Sequence, residues 1–162
     1  YFGINTVYYS DLVSISDKLT LPMGKIIMSS LAVMLKKRKY RGDLTKPAMK
    51  PWARKFTAKL DTLMYLSYIA NDGFPEIVPI IQAQSASNSR IVWKNEPFKD
   101  RQSSLKKGDK IAILGFAMSM ETVLLKGTFS GFDKKGYGFL DIDRVYNSMP
   151  PVHKYAYDGL EE

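Results

Sequence analysis

The fold is decided by residues 72–79, which read Asp-Gly-Phe-Pro-Glu-Ile-Val-Pro. The β-forming stretch Thr62–Ile69 precedes them, and the predicted return strand is Glu76–Gln84. Asp-Gly tolerates the positive φ angles of a tight turn, so this arrangement predicts a β-hairpin. Pro79 has no N–H to donate to a strand ladder, and we therefore expect the return strand to be irregular, or at a sheet edge, at that residue.

Four further strands are predicted after the hairpin: Arg90–Trp93, Lys110–Met118, Thr122–Phe132 and Phe139–Tyr146. Between the first two of these, residues 97–107 predict a loop with one or two helical turns. Six strands with short connections in about 100 residues predict a small antiparallel barrel. The predicted fold class is therefore mainly β, a six-stranded antiparallel barrel with short helices.

The N-terminal residues 1–58 have a different pattern. After Gly24, apolar residues recur at helical spacing, and they are Ile27, Leu31, Met34 and Leu35. The basic run Lys36–Lys39 then suits the C-terminus of a helix. A loop rich in glycine and proline follows, and a second short helix is predicted to begin near Pro51. We therefore divide the chain into a helical, basic N-terminal extension over residues 1–58 and a barrel domain over residues 59–162.

The positive charge is concentrated in the N-terminal extension. Residues 1–61 contain 12 Lys/Arg and 4 Asp/Glu, a net charge of +8, whereas residues 62–162 contain 12 of each. In Lys25–Lys59 there are 11 Lys/Arg against the single acid Asp43, with Trp52 and Phe56 among them. Three interpretations stay open for this segment: a solvated extension packed on its own barrel, an amphipathic element on an anionic membrane surface, or a nucleic-acid contact.

Several classes of chemistry are excluded by composition. The chain has no cysteine, which excludes disulfides and thiolate chemistry and is consistent with the reducing cytoplasm, the expected location. Its single histidine, His153, excludes a site that needs two imidazoles. The longest nearly apolar run, Ile26–Leu35, is half the length of a membrane span of about 20 residues.

The order of these motifs resembles the pyridoxamine 5′-phosphate oxidase-like FMN-binding split-barrel superfamily. The resemblance rests on Asp72–Pro79, on the strand Arg90–Trp93 with its basic loop, and on the triplet Gly127-Thr128-Phe129 in a long hairpin. It covers about residues 59–150. It implies a split barrel that binds FMN and acts as an oxidoreductase, usually as a homodimer with flavin sites shared between the protomers.

The resemblance also implies positions for the FMN contacts. The phosphate would lie at Lys99, Arg101, Gln102, Ser103 and Ser104, a segment that without the resemblance reads as an ordinary solvated turn. The ring would lie against Pro79, Ile80, Ile81 and Gln82, for which a core position, or for Gln82 an outward-facing one, is equally compatible. Trp93 and Lys94 would reach the ribityl chain or ring edge, although Trp93 also suits the core. Partner-chain contacts would come from residues 116–120 and from the tail after Tyr146.

No catalytic dyad or nucleophile with a partner base stands out, and the substrate-binding Arg and His motif of the oxidases themselves is missing. Catalysis would therefore be carried by the flavin, with a small-molecule or protein electron donor and acceptor. Split barrels also bind haem or a deazaflavin, so the fold alone does not fix the cofactor. The alternative function is a non-enzymatic binding module that contacts nucleic acid or an anionic membrane through Lys25–Lys59.

Overall fold

A computed structural model describes residues 20–43, 45, 48–118 and 121–147, together with Tyr9, Asp11, Leu12, Lys18 and the backbone of residues 154–155. Its helices are α1 (Met23–Lys36) and α2 (Pro51–Thr57), with 3-10 turns at Lys37–Tyr40 and Asp100–Gln102. Its strands are β1 (Leu63–Ile69), β2 (Pro75–Pro79), β3 (Gln84–Ser85), β4 (Arg90–Lys94), β5 (Lys110–Phe116), β6 (Thr122–Phe132), β7 (Tyr137–Asn147) and β8 (Lys154–Tyr155). The two helices confirm the helical N-terminal region, and α2 begins with proline as predicted.

All the strand pairs are antiparallel, in the order β2-β1-β5-β6-β7-β4-β3, and β8 pairs with the end of β7. Strands β2 and β3 lie at opposite ends of this order, yet only Ile80–Ala83 joins them. The five Cα–Cα steps from Pro79 to Gln84 span at most about 18 Å, whereas seven flat strands at their usual spacing would extend over about 29 Å. The sheet therefore curls into an antiparallel half-barrel, which brings its two edges together at this connection.

The prediction of six strands is wrong, because the sheet has seven along its path. The predicted return strand Glu76–Gln84 is divided: β2 ends at Pro79, a turn closed by the hydrogen bond from Ala83 N to Ile80 O (2.8 Å) follows, and β3 pairs with β4 instead. The missing N–H of Pro79 explains the position of the break. The Asp-Gly hairpin itself is present, with Gly73 at φ 83° and β2 at the sheet edge.

Strand alternation defines the inside of the barrel. In β1 the side chains of Met64, Leu66 and Tyr68 are buried, while those between them face outward. Trp93 of β4 is fully buried at the centre, with ring centroids 5.8 Å from Phe129 and 6.2 Å from Phe132. A continuous core of this kind is the main source of stability for a domain of this size.

A second, smaller cluster attaches α1 to the outside of the barrel. Val33 is fully buried in a cluster with residues of β4 and β7, and Tyr40 stacks on Tyr137 at 5.2 Å. Tyr40 Oη also donates to Asp133 Oδ2 (2.7 Å), and Lys37 Nζ donates to Gln84 Oε1 (2.8 Å). In the part of the chain that the structure describes, no helix is long and apolar enough to cross a bilayer.

The Tyr40 contact predicts a pH dependence. Burial, and next the hydrogen bond to Asp133, raises the pKa of Tyr40 from 10.0 to about 12. A group whose pKa is raised by folding stabilises the fold below its unfolded pKa and loses that contribution as pH rises. Wild type should therefore be about 1 kcal/mol more stable than Tyr40→Phe well below pH 10, and this difference should disappear between pH 10 and about 12. Urea unfolding of both proteins at several pH values measures it, and a constant difference would contradict the assignment.

Candidate functional site

The predicted ring-binding segment lies where the barrel closes. Ile80 and Gln82 are buried there, and Pro79 and Ile81 are half-buried. Gln82 Nε2 donates to Lys94 O (2.6 Å) and Glu96 O (2.8 Å), so it ties this connection to the end of β4. Its Oε1 is buried without a partner in the part of the chain that the structure describes. This acceptor has the chemistry that a ring N–H would satisfy, but it is closed to solvent in this structure.

Two of the predicted contacts, Trp93 and Gln102, are parts of the core. Trp93 Nε1 donates to Gln102 Oε1 (2.8 Å), and Gln102 Nε2 donates to Asn95 O (3.1 Å) and Phe98 O (3.2 Å). Gln102 is 2% exposed, and its side chain fixes the 3-10 turn against the barrel. The alternative of Trp93 as a core residue is therefore correct, and a flavin contact for either side chain stays a prediction.

The remaining predicted phosphate contacts lie on the surface of the same turn. Arg101 Nη1 pairs with Glu76 Oε1 (2.6 Å), Lys99 is exposed, and Ser103 Oγ donates to Asp100 O (2.6 Å). The Glu76 ion pair occupies one nitrogen of a guanidinium that has five N–H donors. The turn therefore carries two cations, Lys99 and Arg101, but the charge of Arg101 is already neutralised by Glu76.

Tyr68 connects this turn to the rest of the barrel. Its hydroxyl donates to Arg101 O, and Ser104 Oγ donates to it at 3.2 Å. Burial raises the pKa of Tyr68 above its ordinary value, an effect that the Ser104 hydrogen bond partly opposes. Tyr68 is thus a neutral anchor, which fixes the turn at the C-terminal end of β1.

A groove of about 650 Å³ opens at this same end of β1, across the outside of the sheet. Its lining comes from four adjacent strands: Ser67, Tyr68 and Ile69 of β1, Lys110, Ile111 and Ala112 of β5, Lys126 and Gly127 of β6, and Asp143 and Arg144 of β7. The volume lies within the range of about 300–1,000 Å³ that is usual for small-molecule sites. Three cations and one carboxylate therefore line one groove.

The cations of the groove are placed by strand register. Lys126 of β6 lies directly opposite Arg144 of β7, next to a register shift at Gly127. Lys110 Nζ reaches Asp143 Oδ2 (2.9 Å) and Thr128 Oγ1 (2.8 Å). Ammonium and guanidinium groups on one sheet face can bind a phosphate or a carboxylate through charge-assisted hydrogen bonds. The arrangement therefore suits a phosphate or carboxylate ligand.

An apolar row crosses the same sheet beside these cations. The register aligns Tyr65 of β1 with Leu114 of β5, Leu114 with Leu124 of β6, and Leu124 with Tyr146 of β7. Leu124 lies two residues before Lys126 and Tyr146 two residues after Arg144, so they share the outer face with the cations. If the anionic group of a ligand bound these cations, a planar ring attached to that group would lie over the apolar row.

Lys110, Lys126 and Arg144 were not among the predicted site residues. Lys126 is a cation in an otherwise uncharged outer row of β6, and that pattern is visible in the sequence. Its pairing with Arg144 depends on the register shift at Gly127, which no sequence pattern specifies. In the described ranges no group of three His, Cys, Asp or Glu residues could hold a metal ion.

The predicted partner-chain contacts are described only in part. Phe116 is half-buried, Ala117 is buried and Met118 is 84% exposed. Ser119, Met120, His153 and most of the tail after Asn147 lie outside the described residues. The exposure of Met118 leaves the predicted contact with a partner chain as a prediction.

Comparison with known proteins shows the fold and nothing finer. No family model matches the chain, and no curated protein matches it. The crystal structure of HupZ from Group A Streptococcus matches with a TM-score of 0.53 at 13% identity, over 65% of this chain and 98% of HupZ. A single-alanine variant of HupZ matches with a TM-score of 0.53 at 12% identity, over 61% and 98%. HupZ has a split-barrel fold of the pyridoxamine 5′-phosphate oxidase-like type, and the chain described here shares that fold.

Proposed function

We propose that this chain is an FMN-binding flavoprotein, which holds the FMN phosphate at Lys110, Lys126 and Arg144 and the isoalloxazine ring over the apolar row. The observation that carries the proposal is the cross-strand pair of Lys126 and Arg144 in the groove. FMN combines a phosphate dianion with a flat ring, and a cation row beside an apolar row matches both parts. The cationic turn with Lys99 and Arg101 adjoins the groove through Tyr68 and is the second candidate for the phosphate.

FMN suits this chain better than haem does. Haem iron is usually held by an axial His, Cys, Met or Tyr ligand. Among the residues that line the groove, the one side chain of these types is Tyr68, whose hydroxyl is already engaged by Arg101 O and Ser104 Oγ, whereas flavin binding needs no axial ligand. The ligand that the groove favours is therefore the flavin phosphate.

Bound FMN would supply hydride or electron transfer, and the residues of this chain would bind and orient it. Lys126 and Arg144 would neutralise the phosphate, and the apolar row would exclude water from one face of the ring. The proposed enzyme is an FMN-dependent oxidoreductase with an unidentified substrate. We further propose a homodimer, because large side chains remain exposed on the outer face, with Ile69 and Ile77 each at 63% and Leu114 at 42%.

The test is an FMN titration followed by quenching of flavin fluorescence. Loss of two charge-assisted phosphate contacts should cost at least about 1.4 kcal/mol, a factor of ten in affinity. Lys126→Gln/Arg144→Gln should therefore bind FMN at least ten-fold more weakly than wild type. Haem is titrated in parallel, with the Soret band as the readout.

The control is Lys134→Gln/Lys135→Gln, which removes the same charge from the exposed turn between β6 and β7 and should leave FMN affinity unchanged. A third variant, Lys99→Gln/Arg101→Gln, separates the two phosphate positions. If that variant loses FMN and the groove variant keeps it, the phosphate lies at the turn. If wild type binds no FMN, or binds haem alone, the flavoprotein proposal is wrong.

A further inference from the structure

The outward face of α1 is apolar from end to end. At 100° per residue, Met23, Gly24, Ile27, Met28, Leu31, Met34 and Leu35 occupy a continuous arc of about 140°. The six large side chains in that arc are between 40% and 79% exposed. The opposite face, with Ile26, Ser29 and Val33, is buried against the barrel. Among the residues that the structure describes, helix α1 is thus held by one side and presents an uncovered hydrophobic surface on the other.

Basic residues flank this surface at both ends of α1. Lys36, Lys37, Arg38, Lys39 and Arg41 follow one another at the end of α1, and Lys25 lies near its start. Residues 20–42 contain no Asp or Glu. Lys37 Nζ donates to Gln84 (2.8 Å) and Lys36 Nζ lies over the Tyr137 ring, 5.5 Å from its centroid, but Lys25, Arg38, Lys39 and Arg41 are exposed. The occupant of the surface must therefore be apolar in the middle and anionic at the edge.

An anionic membrane surface meets both requirements. Interfacial helices bury an apolar face at the boundary between headgroups and acyl chains, and clusters of about four to eight Lys/Arg beside such a helix are attracted to anionic lipids. A second copy would bring the same cationic border against this one, and like charges repel. A nucleic acid would neutralise the cations but would leave the apolar arc exposed to water.

We propose that α1 is an interfacial anchor that docks the barrel on membranes containing anionic lipids, with Leu31 and Leu35 in the lipid and Arg38, Lys39 and Arg41 at the headgroups. The anchor lies on α1, outside the groove proposed for FMN, so the two proposals stand or fall separately. The proposal also gives the excess positive charge of the N-terminal extension a role, which is to contact anionic lipid headgroups.

The test is co-sedimentation of the full chain with two kinds of vesicle, phosphatidylcholine alone and phosphatidylcholine mixed with phosphatidylserine. Wild type should bind the mixed vesicles and lose that binding as salt is raised. At about five-fold per cation, Arg38→Gln/Lys39→Gln/Arg41→Gln should weaken binding about a hundred-fold. Leu31→Ser/Leu35→Ser should weaken it by a similar factor, because it removes the inserted surface without changing the charge.

The control for charge is Lys106→Gln/Lys107→Gln, and the control for exposed apolar surface is Phe74→Ser; both sites are exposed on the barrel, and both variants should bind as wild type does. Circular dichroism verifies that every variant is folded. Absence of binding to the mixed vesicles overturns the proposal, as does unchanged binding of the leucine variant. Size-exclusion chromatography supplies a further arm: a dimer that the leucine variant alone disrupts would assign the surface to a second copy instead.

Discussion

Trp93→Ala is expected to lower the free energy of unfolding by about 3–5 kcal/mol, the usual cost of removing a large aromatic side chain from a core. Trp93 is fully buried, and its ring packs against Phe129 and Phe132. The substitution also leaves Gln102 Oε1 without the indole donor, inside a site that is 2% exposed. The free energy of unfolding of domains of this size is about 5–15 kcal/mol in total. This single change should therefore leave the protein only marginally stable.

Urea unfolding followed by far-UV circular dichroism measures the loss. Trp52→Ala is the matched control, because Trp52 is 37% exposed on α2 and its removal should cost much less. Trp93→Phe separates packing from hydrogen bonding: it keeps an aromatic ring and should still lose about 1–3 kcal/mol through the unpaired amide oxygen. Equal stability of the Trp93→Ala and Trp52→Ala proteins would show that the core is not centred on Trp93.

The network around Trp93 shows where the sequence does not reveal burial. The family resemblance implies a phosphate contact for Gln102, and in the structure its amide fills a buried position between the indole and two backbone carbonyls. A polar residue in a polar segment is predicted to be solvent-exposed unless its hydrogen-bond partners are known. The buried partners come from β4 and the loop after it, and only the folded chain brings them together.

Other features could be predicted because their causes are local. Asp72-Gly73 turns the chain through a positive φ angle, and Pro51 begins a helix through its fixed φ. Pro79 marks the irregularity in the return strand, but the sequence does not show that the chain passes there from one edge of the sheet to the other. That crossing depends on the long-range pairing of β4 with β7, in which Arg90 lies opposite Asp141, and local propensity carries no signal for it.

The candidate groove depends on the same kind of long-range information. Lys126 and Arg144 are 18 positions apart in sequence. They lie opposite each other only because the register between β6 and β7 changes at Gly127. A shift of one residue would turn each side chain to the opposite face. The register shift therefore determines both how β6 pairs with β7 and which charged side chains face the groove.

Gly127→Ala is accordingly expected to destabilise the protein and to disrupt the groove together. A Cβ at Gly127 would lie well inside van der Waals contact of the backbone carbonyl of Asp141, and 2.8 Å from Leu140 Cδ1. Because a backbone carbonyl in a paired strand cannot turn aside as a flexible side chain can, β6 and β7 must separate there. Overpacking of this kind costs about 1–3 kcal/mol, and more where the backbone must move.

Gly24→Ala is the matched control, since a Cβ at Gly24 has open space within 4 Å and the residue lies in α1. It should stabilise the helix by about 0.5–1 kcal/mol, so the two glycine variants should move in opposite directions in urea unfolding. If the Gly127→Ala protein remains folded, its FMN affinity should fall with that of Lys126→Gln/Arg144→Gln, because both variants break the cross-strand pair. If the Gly127→Ala protein kept both wild-type stability and wild-type FMN affinity, the register shift would position neither the strands nor the ligand.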